Sequence, residues 1–230
     1  GAQVERVKPG DRVTVLPSSA VVCGVCDYCR RGYYMFCSVR RGMGHGVNGS
    51  FTRYAVVRDD QVHKLPDDVS FEEGAVAEPF ASAAQAIEDL TDFHVGDTVL
   101  LSGPGPIGLF CLSLLVAHNC KVIVAGADDC ARLEIARSMG ADVVVDVTQE
   151  DLAEVVRRET DGRGADAVVE ASGSADSVLA CLAAVRPLGR FVQVGIVGSS
   201  VTLPYDQFLF KQIRFFGSVG HSLKTWSRVM

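Results

Sequence analysis

From residue 98 onward, apolar residues fall in short unbroken runs separated by stretches with helical spacing. "TVLLS" (98–102), "KVIVA" (121–125), "DVVVD" (142–146), "DAVVEA" (166–171), "GRFVQVG" (189–195) and "QIRFFGS" (212–218) predict six strands. Helices are predicted between them at Pro106–His118, "ARLEIARSMG" (131–140), "EDLAEVVRRE" (150–159) and "ADSVLACLAAV" (175–185). Leu133, Ala136 and Met139 repeat at helical spacing, and Gly140 marks the end of that helix. Strands that are apolar throughout are buried on both faces, so the pattern predicts a doubly wound parallel sheet, an α/β fold. Before residue 80 the texture differs. Runs such as "DRVTVL" (11–16) and "RYAVV" (53–57) alternate with Gly- and Pro-rich turns, which predicts a small, mostly β region. The expected boundaries are a first domain over 1–79 and an α/β domain over 80–230.

Composition narrows the function classes. The chain has 230 residues, 48% of them hydrophobic, enough for a sizeable core, and its net charge of −6 disfavours a nucleic-acid surface. No signal peptide opens the sequence. Val99–Ala117 carries no formal charge, but Gly103, Pro104, Gly105 and Pro106 interrupt it, so a buried strand, turn and helix are expected there rather than a membrane span. Cys111, Cys120, Cys130 and Cys181 are scattered singly, as reduced thiols of a cytoplasmic protein are.

The chemistry-bearing motifs are two. "VLLSGPGPIGLF" places G-x-G-x-x-G at Gly103, Gly105 and Gly108, after a strand and opening a helix, where it signals a dinucleotide site. Gly103 makes the turn, Gly105 admits a pyrophosphate, and Gly108 lets helix and strand approach. Pro106 and Ile107 form the first helical turn, whose free N–H groups face the phosphates. For the cofactor ribose the candidates are Asp128, Asp129 and Arg132: the two acids favour NAD, while Arg132, Gly126 and Ala127 leave NADP open. Ser172 and Gly173 in "EASGS" and Gly195 and Ile196 in "VGIVG" end strands on the same sheet edge, where the nicotinamide half would lie. The second motif is "CGVCDYCRRGYYMFC". Cys23, Cys26, Cys29 and Cys37 sit within fifteen residues, which suits a closed, structural, tetrahedral Zn²⁺ site in a lobe spanning about 20–40.

With these motifs in hand the chain resembles the zinc-containing medium-chain dehydrogenases of the polyol, threonine and alcohol type. The match runs through "VKPGDRVTV", the four cysteines, "GSFTRYAVV", "KLPDDVSFEEGAVAEPFASAAQAI", "GDTVLLSGPGPIG", "ARLEIARSMGAD" and "ADAVVEASG". The resemblance implies part of a GroES-like domain followed by a Rossmann domain, and hydride transfer between a secondary alcohol and NAD or NADP. It also implies a small alcohol or ketone as partner, and a homo-oligomer. It places Glu78 of "AEPF" at a catalytic zinc, as ligand or through its water, as in the polyol branch. Alternatively, Glu78 is an acid favoured beside the helix that Pro79 opens. The early cysteine and the Gly-His-Glu motif of the family are not matched here. Gly1 aligns just beyond them, so an internal piece of a longer enzyme is expected. His45, His63, His94, His118 and His221 are expected on the surface or at element ends. Two other readings stay open: a non-catalytic dinucleotide-binding module with structural zinc, and a zinc-free quinone reductase.

Overall fold

A computed structural model describes residues 4–230. Gly1, where the family match begins, lies outside them. Two compact units emerge, one comprising the residues up to Ser82 together with Gly220–Met230, the other Ala83–Val219. The last eleven residues therefore pack with the first unit, where the sequence reading carried the second domain to residue 230.

In the first unit the elements are short: β1 (Val13–Val15), α1 (Asp27–Arg30), β2 (Gly42–Met43), β3 (Gly46–Val47), β4 (Val62–Lys64), α2 (Phe71–Ala75) and α3 (Ala77–Ala84), which runs across the unit boundary. β1 and β4 pair antiparallel, with Val13 opposite Lys64. Ser70 and Glu73 form a reciprocal capping box at the start of α2, satisfying two otherwise free N–H groups. "RYAVV" forms no strand: Tyr54 and Val56 are 85% and 101% exposed. A β-type run becomes a strand only where a neighbouring backbone supplies the ladder, and none among the described residues pairs with this one.

The second unit is built on β5 (Thr98–Ser102), β6 (Lys121–Gly126), β7 (Val143–Asp146), β8 (Ala165–Glu170), β9 (Val185–Gln193) and β10 (Arg214–Gly217). All pairings are parallel and the order is β10-β9-β8-β5-β6-β7. From β5 the chain winds outward through β6 and β7, then returns to β8 on the other side. The carboxyl ends of β5 and β8 therefore flank the switch point of a doubly wound sheet. α4 (Pro106–Ala117), α5 (Cys130–Ser138), α6 (Leu152–Glu159), α7 (Ala175–Ala184) and α8 (Asp206–Phe210) are the helices of this unit. One face of the sheet buries Val99, Leu101, Val122 and Val124 with Leu112 and Leu115; the other buries Leu100, Ile123, Val145 and Phe191 with Val155 and Leu182. Asp129 and Asp151 cap α5 and α6, and Gly140, at φ +100°, follows α5 in a conformation that suits glycine. Within β9, Arg190 is 3% exposed and pairs with Asp97 at 2.7 Å. No helix among the described residues is long and apolar enough to cross a membrane. Val99–Ala117 is a buried strand, a turn and a helix that buries Gly108, Cys111, Leu112 and Leu115 while Pro106 and Ala117 are exposed.

α9 (Leu223–Val229) belongs to the first unit. It contributes Trp226, which is fully buried with Leu16, Ala77 and Ala81.

Candidate functional site

The thiol cluster is organised by backbone donors. Cys26 caps α1 and accepts from the Cys29 N–H at 3.4 Å; Cys23 Sγ accepts from the Cys26 N–H at 3.3 Å, and Cys37 Sγ from the Cys23 N–H at 3.4 Å. All four sulfurs lie within 4.8 Å of one another, and Cys23 Sγ and Cys29 Sγ are 3.9 Å apart. Tetrahedral zinc with Zn–S bonds of about 2.3 Å needs sulfurs roughly 3.8 Å apart, so the cage has the required size. Its electrostatics are divided. The N–H groups of Val25 and Cys26 hold the Cys23 thiol down to about 6, whereas burial and the neighbouring thiols push Cys29 up to about 12. Four thiolates this close repel one another unless a cation lies between them. The donor set thus fits a divalent, thiophilic ion with no coordination position left for substrate. The lobe is anchored within its unit: Gly32, at φ +77°, packs against Leu223, whose N–H donates to the Gly32 carbonyl at 2.9 Å.

Glu78 lies in the first turn of α3. Its Oε1 is 3.6 Å from His221 Nε2. His221, expected on the surface or at an element end, does precede the N-cap of α9 but is buried, and it stacks on Trp226 at 5.5 Å between ring centroids. His63 meets the same indole edge-on at 5.4 Å. His118, as expected, ends a helix, where its Nε2 lies 2.8 Å from Glu88. Among the described residues the four cysteines are the only group of three or more Cys, His, Asp or Glu placed to hold a metal, so Glu78 and His221 do not by themselves complete a catalytic-zinc site.

In the second unit a cleft of about 660 Å³ opens at the switch point. Its floor is the turn from β5 into α4. Gly103, at φ +99°, is pressed against the β8 loop so closely that a Cβ there would lie 2.5 Å from the Ser172 nitrogen. Gly105 is the N-cap of α4 and faces open space; a Cβ there would meet nothing within 4 Å. Pro106 is the first residue of the helix, Ile107 packs against the core, and Gly108 touches the Gly103 carbonyl. The cleft is therefore lined by bare backbone at a helix N-terminus, the arrangement that receives phosphates.

Of the other residues singled out in the sequence, Gly126, Ala127, Arg132 and Ser172 line this cleft; Asp128, Asp129, Gly173, Gly195 and Ile196 do not. Asp129 is already engaged. Its carboxylate accepts from the Arg132 N–H and pairs with the Arg132 guanidinium at 3.0 Å. Asp128 adopts φ +50° and donates its N–H to Asp146. Gly173 and Gly195 lie against each other's loops, and Ile196 is 83% exposed. Sequence reasoning passed over Glu150, Asp151, Ser174, Asp176 and Ser177, all of which line the cleft. It also passed over Glu170, although a carboxylate ending an apolar run was visible in "DAVVEA".

Comparison with known proteins matches residues 106–230 to the zinc-binding dehydrogenase family and residues 1–67 to the alcohol dehydrogenase GroES-like domain. The D-arabitol-phosphate dehydrogenase of Enterococcus avium is 40% identical over 228 residues, covering 98% of this chain and 64% of that protein. A sorbitol dehydrogenase of Halalkalibacterium halodurans is 35% identical, with 98% and 66% covered. This chain thus spans just under two thirds of the length of these relatives. Among solved structures, galactitol-1-phosphate dehydrogenase of Escherichia coli superposes with a TM-score of 0.88 at 25% identity, covering all of this chain and 68% of that one. A zinc-binding dehydrogenase of Sinorhizobium meliloti 1021, solved bound to NADP, gives 0.89 at 26% identity, with 100% and 68% covered.

Proposed function

We propose, for a chain that belongs to the zinc-binding dehydrogenase family, that it serves an oxidoreductase passing hydride between a secondary alcohol and NAD or NADP. The alcohol is of the polyol, polyol-phosphate or amino-alcohol type. The observation that carries the reading is the cleft at the Gly103–Gly105 turn, where backbone and helix N-terminus are left bare at the sheet's switch point. Supporting it are relatives named for polyol, polyol-phosphate and threonine substrates, and a structural neighbour that binds NADP.

In this reading Gly105 and the first free N–H groups of α4 hold the pyrophosphate, and Pro106 fixes the start of that helix. Arg132, whose charge Asp129 offsets, stands at the ribose end. Because the Asp129 carboxylate is occupied, discrimination between the two cofactors rests on Asp128 and Arg132, and NAD binds at least as well as NADP. A bound nicotinamide supplies the hydride acceptor, and the protein's part is to orient it and keep water away. Cys23, Cys26, Cys29 and Cys37 hold zinc as a structural tie in the first unit. No step is assigned to a metal at Glu78; its role near the reacting oxygen follows the family resemblance. A homo-oligomer and a cytoplasmic location belong to the same reading.

The test is turnover. The protein carrying this chain is assayed for NADH and NADPH formation with polyols, polyol phosphates and threonine, beside its Glu78→Ala variant. Reduction of NAD by at least one of these alcohols, lowered in the variant, supports the reading. Binding of NADH with no turnover on any of them points to the non-catalytic module instead.

A further inference from the structure

Glu170 ends β8 with no exposed surface, yet no lysine, arginine or histidine among the described residues is bonded to it. Its partners are all neutral donors. Oε1 accepts from the Ser172 N–H at 3.0 Å, from the Ser172 hydroxyl, and from Ser177 Oγ at 2.8 Å. The Gly173 N–H reaches both oxygens, at 3.1 and 3.2 Å, and Gln193 Nε2 donates to Oε2 at 2.6 Å. Its main-chain carbonyl accepts from Val194 and Gly195, both at 2.8 Å. Such a shell of donors matches a group that only accepts.

These donors come from two strand ends and a helix. Ser172 and Gly173 follow β8, Gln193 ends β9 with Val194 and Gly195 just after it, and Ser177 lies in α7. Ser177 also bonds to Ser102 at the end of β5, at 2.7 Å. The glycines allow the loops to close around the carboxylate. A Cβ on Gly195 would lie 2.6 Å from Glu170 Oε2, and one on Gly173 would lie 2.6 Å from the Ile196 carbonyl. The Gln193 amide completes the tie by donating to the Gly195 carbonyl at 2.7 Å.

We propose that Glu170 is a positioning residue for the nicotinamide half of the cofactor, because it fixes the Ser172–Gly173 and Gly195–Ile196 loops against each other at the sheet's carboxyl edge. The proposal rests on the dinucleotide reading above. It separates the two halves of the ligand: among the described residues, Gly105, the start of α4 and Arg132 make no hydrogen bond to the Glu170 carboxylate, whereas the loops after β8 and β9 are tied together by it.

The experiment compares wild type, Glu170→Gln and Gln193→Leu in calorimetric titrations with NADH and with ADP-ribose, which lacks the nicotinamide. Glu170→Gln puts an amide donor among donors. It should weaken NADH by roughly tenfold or more, the equivalent of one or two misplaced hydrogen bonds, while ADP-ribose stays within about twofold. Gln193→Leu, which leaves the carboxylate in place, should show the same selectivity in smaller measure and decides the matter if Glu170→Gln does not fold. NADH affinity unchanged in both variants, or a parallel loss of both ligands, overturns the proposal. If wild type binds neither ligand, the dinucleotide reading itself is wrong and the proposal falls with it.

Discussion

Replacing Gly105 with alanine separates binding from folding at the glycine-rich turn. Gly105 sits at φ −71°, ψ 176°, a conformation open to any residue, and an added Cβ meets nothing within 4 Å. The folding cost is therefore confined to exchanging a favoured helix N-cap for a poor one, about 1 kcal/mol. For the ligand the result differs. The new methyl occupies the space through which a phosphate approaches the first N–H groups of α4. Losing one hydrogen bond to a charged phosphate costs about 1.5–3 kcal/mol, a 10- to 150-fold weaker complex. The assay pairs a ligand-free thermal melt with a fluorescence titration of NADH. Gly103→Ala is the contrast: at φ +99°, with a Cβ 2.5 Å from the Ser172 nitrogen, it should lower both the melting temperature and the affinity. If Gly105→Ala binds NADH as wild type does, no phosphate sits at this turn and the assignment of the cleft is refuted.

Three further outcomes follow from the geometry. Metal analysis of the reduced protein should find one zinc per chain, and Cys29→Ser should lose it and destabilise the first unit while ADP-ribose binding persists; a zinc-free wild type that melts normally would contradict the cage. Arg190→Met strands the Asp97 carboxylate, only 11% exposed, and should cost about 3–5 kcal/mol in urea unfolding, much of it recovered by adding Asp97→Asn. Burial pushes the Asp166 carboxyl up, but the Thr98 N–H and the Arg186 guanidinium outweigh it and hold it below the usual carboxylate range. Its contribution is full above the unfolded value and is lost as pH falls through the folded one. The stability gap between wild type and Asp166→Asn should then be widest near neutrality and close below roughly pH 4, and a gap that does not vary with pH would show the carboxylate to be unimportant.

The parts of the molecule that were legible in the sequence are those encoded locally. Strands such as Thr98–Ser102 are apolar at nearly every position because both faces are covered, and the run of letters already says so. The cysteines carry their geometry in their spacing. What escaped is relational. "RYAVV" has a strand's composition, but pairing belongs to a partner elsewhere in the chain. Asp129, singled out for the ribose, also caps α5, because the same carboxylate that suits a sugar hydroxyl suits the free N–H groups of a helix. Glu170 draws its donors from Ser172, Gly173, Ser177 and Gln193, and nothing in its own surroundings along the sequence announces that they converge. His221 reads as a loop residue until Trp226 folds over it.

The return of residues 220–230 to the first unit has a consequence for how the chain is made. Ala83–Val219 is continuous, so it is complete as soon as it leaves the ribosome. The first unit is not: Trp226, at its centre, is synthesised ~140 residues after Ser82, a delay of roughly 7–28 s at ordinary elongation rates. During that interval Leu16, Ala77 and Ala81 wait for the indole they will pack against. Since the chain has a single tryptophan, its fluorescence follows the closing of the first unit alone.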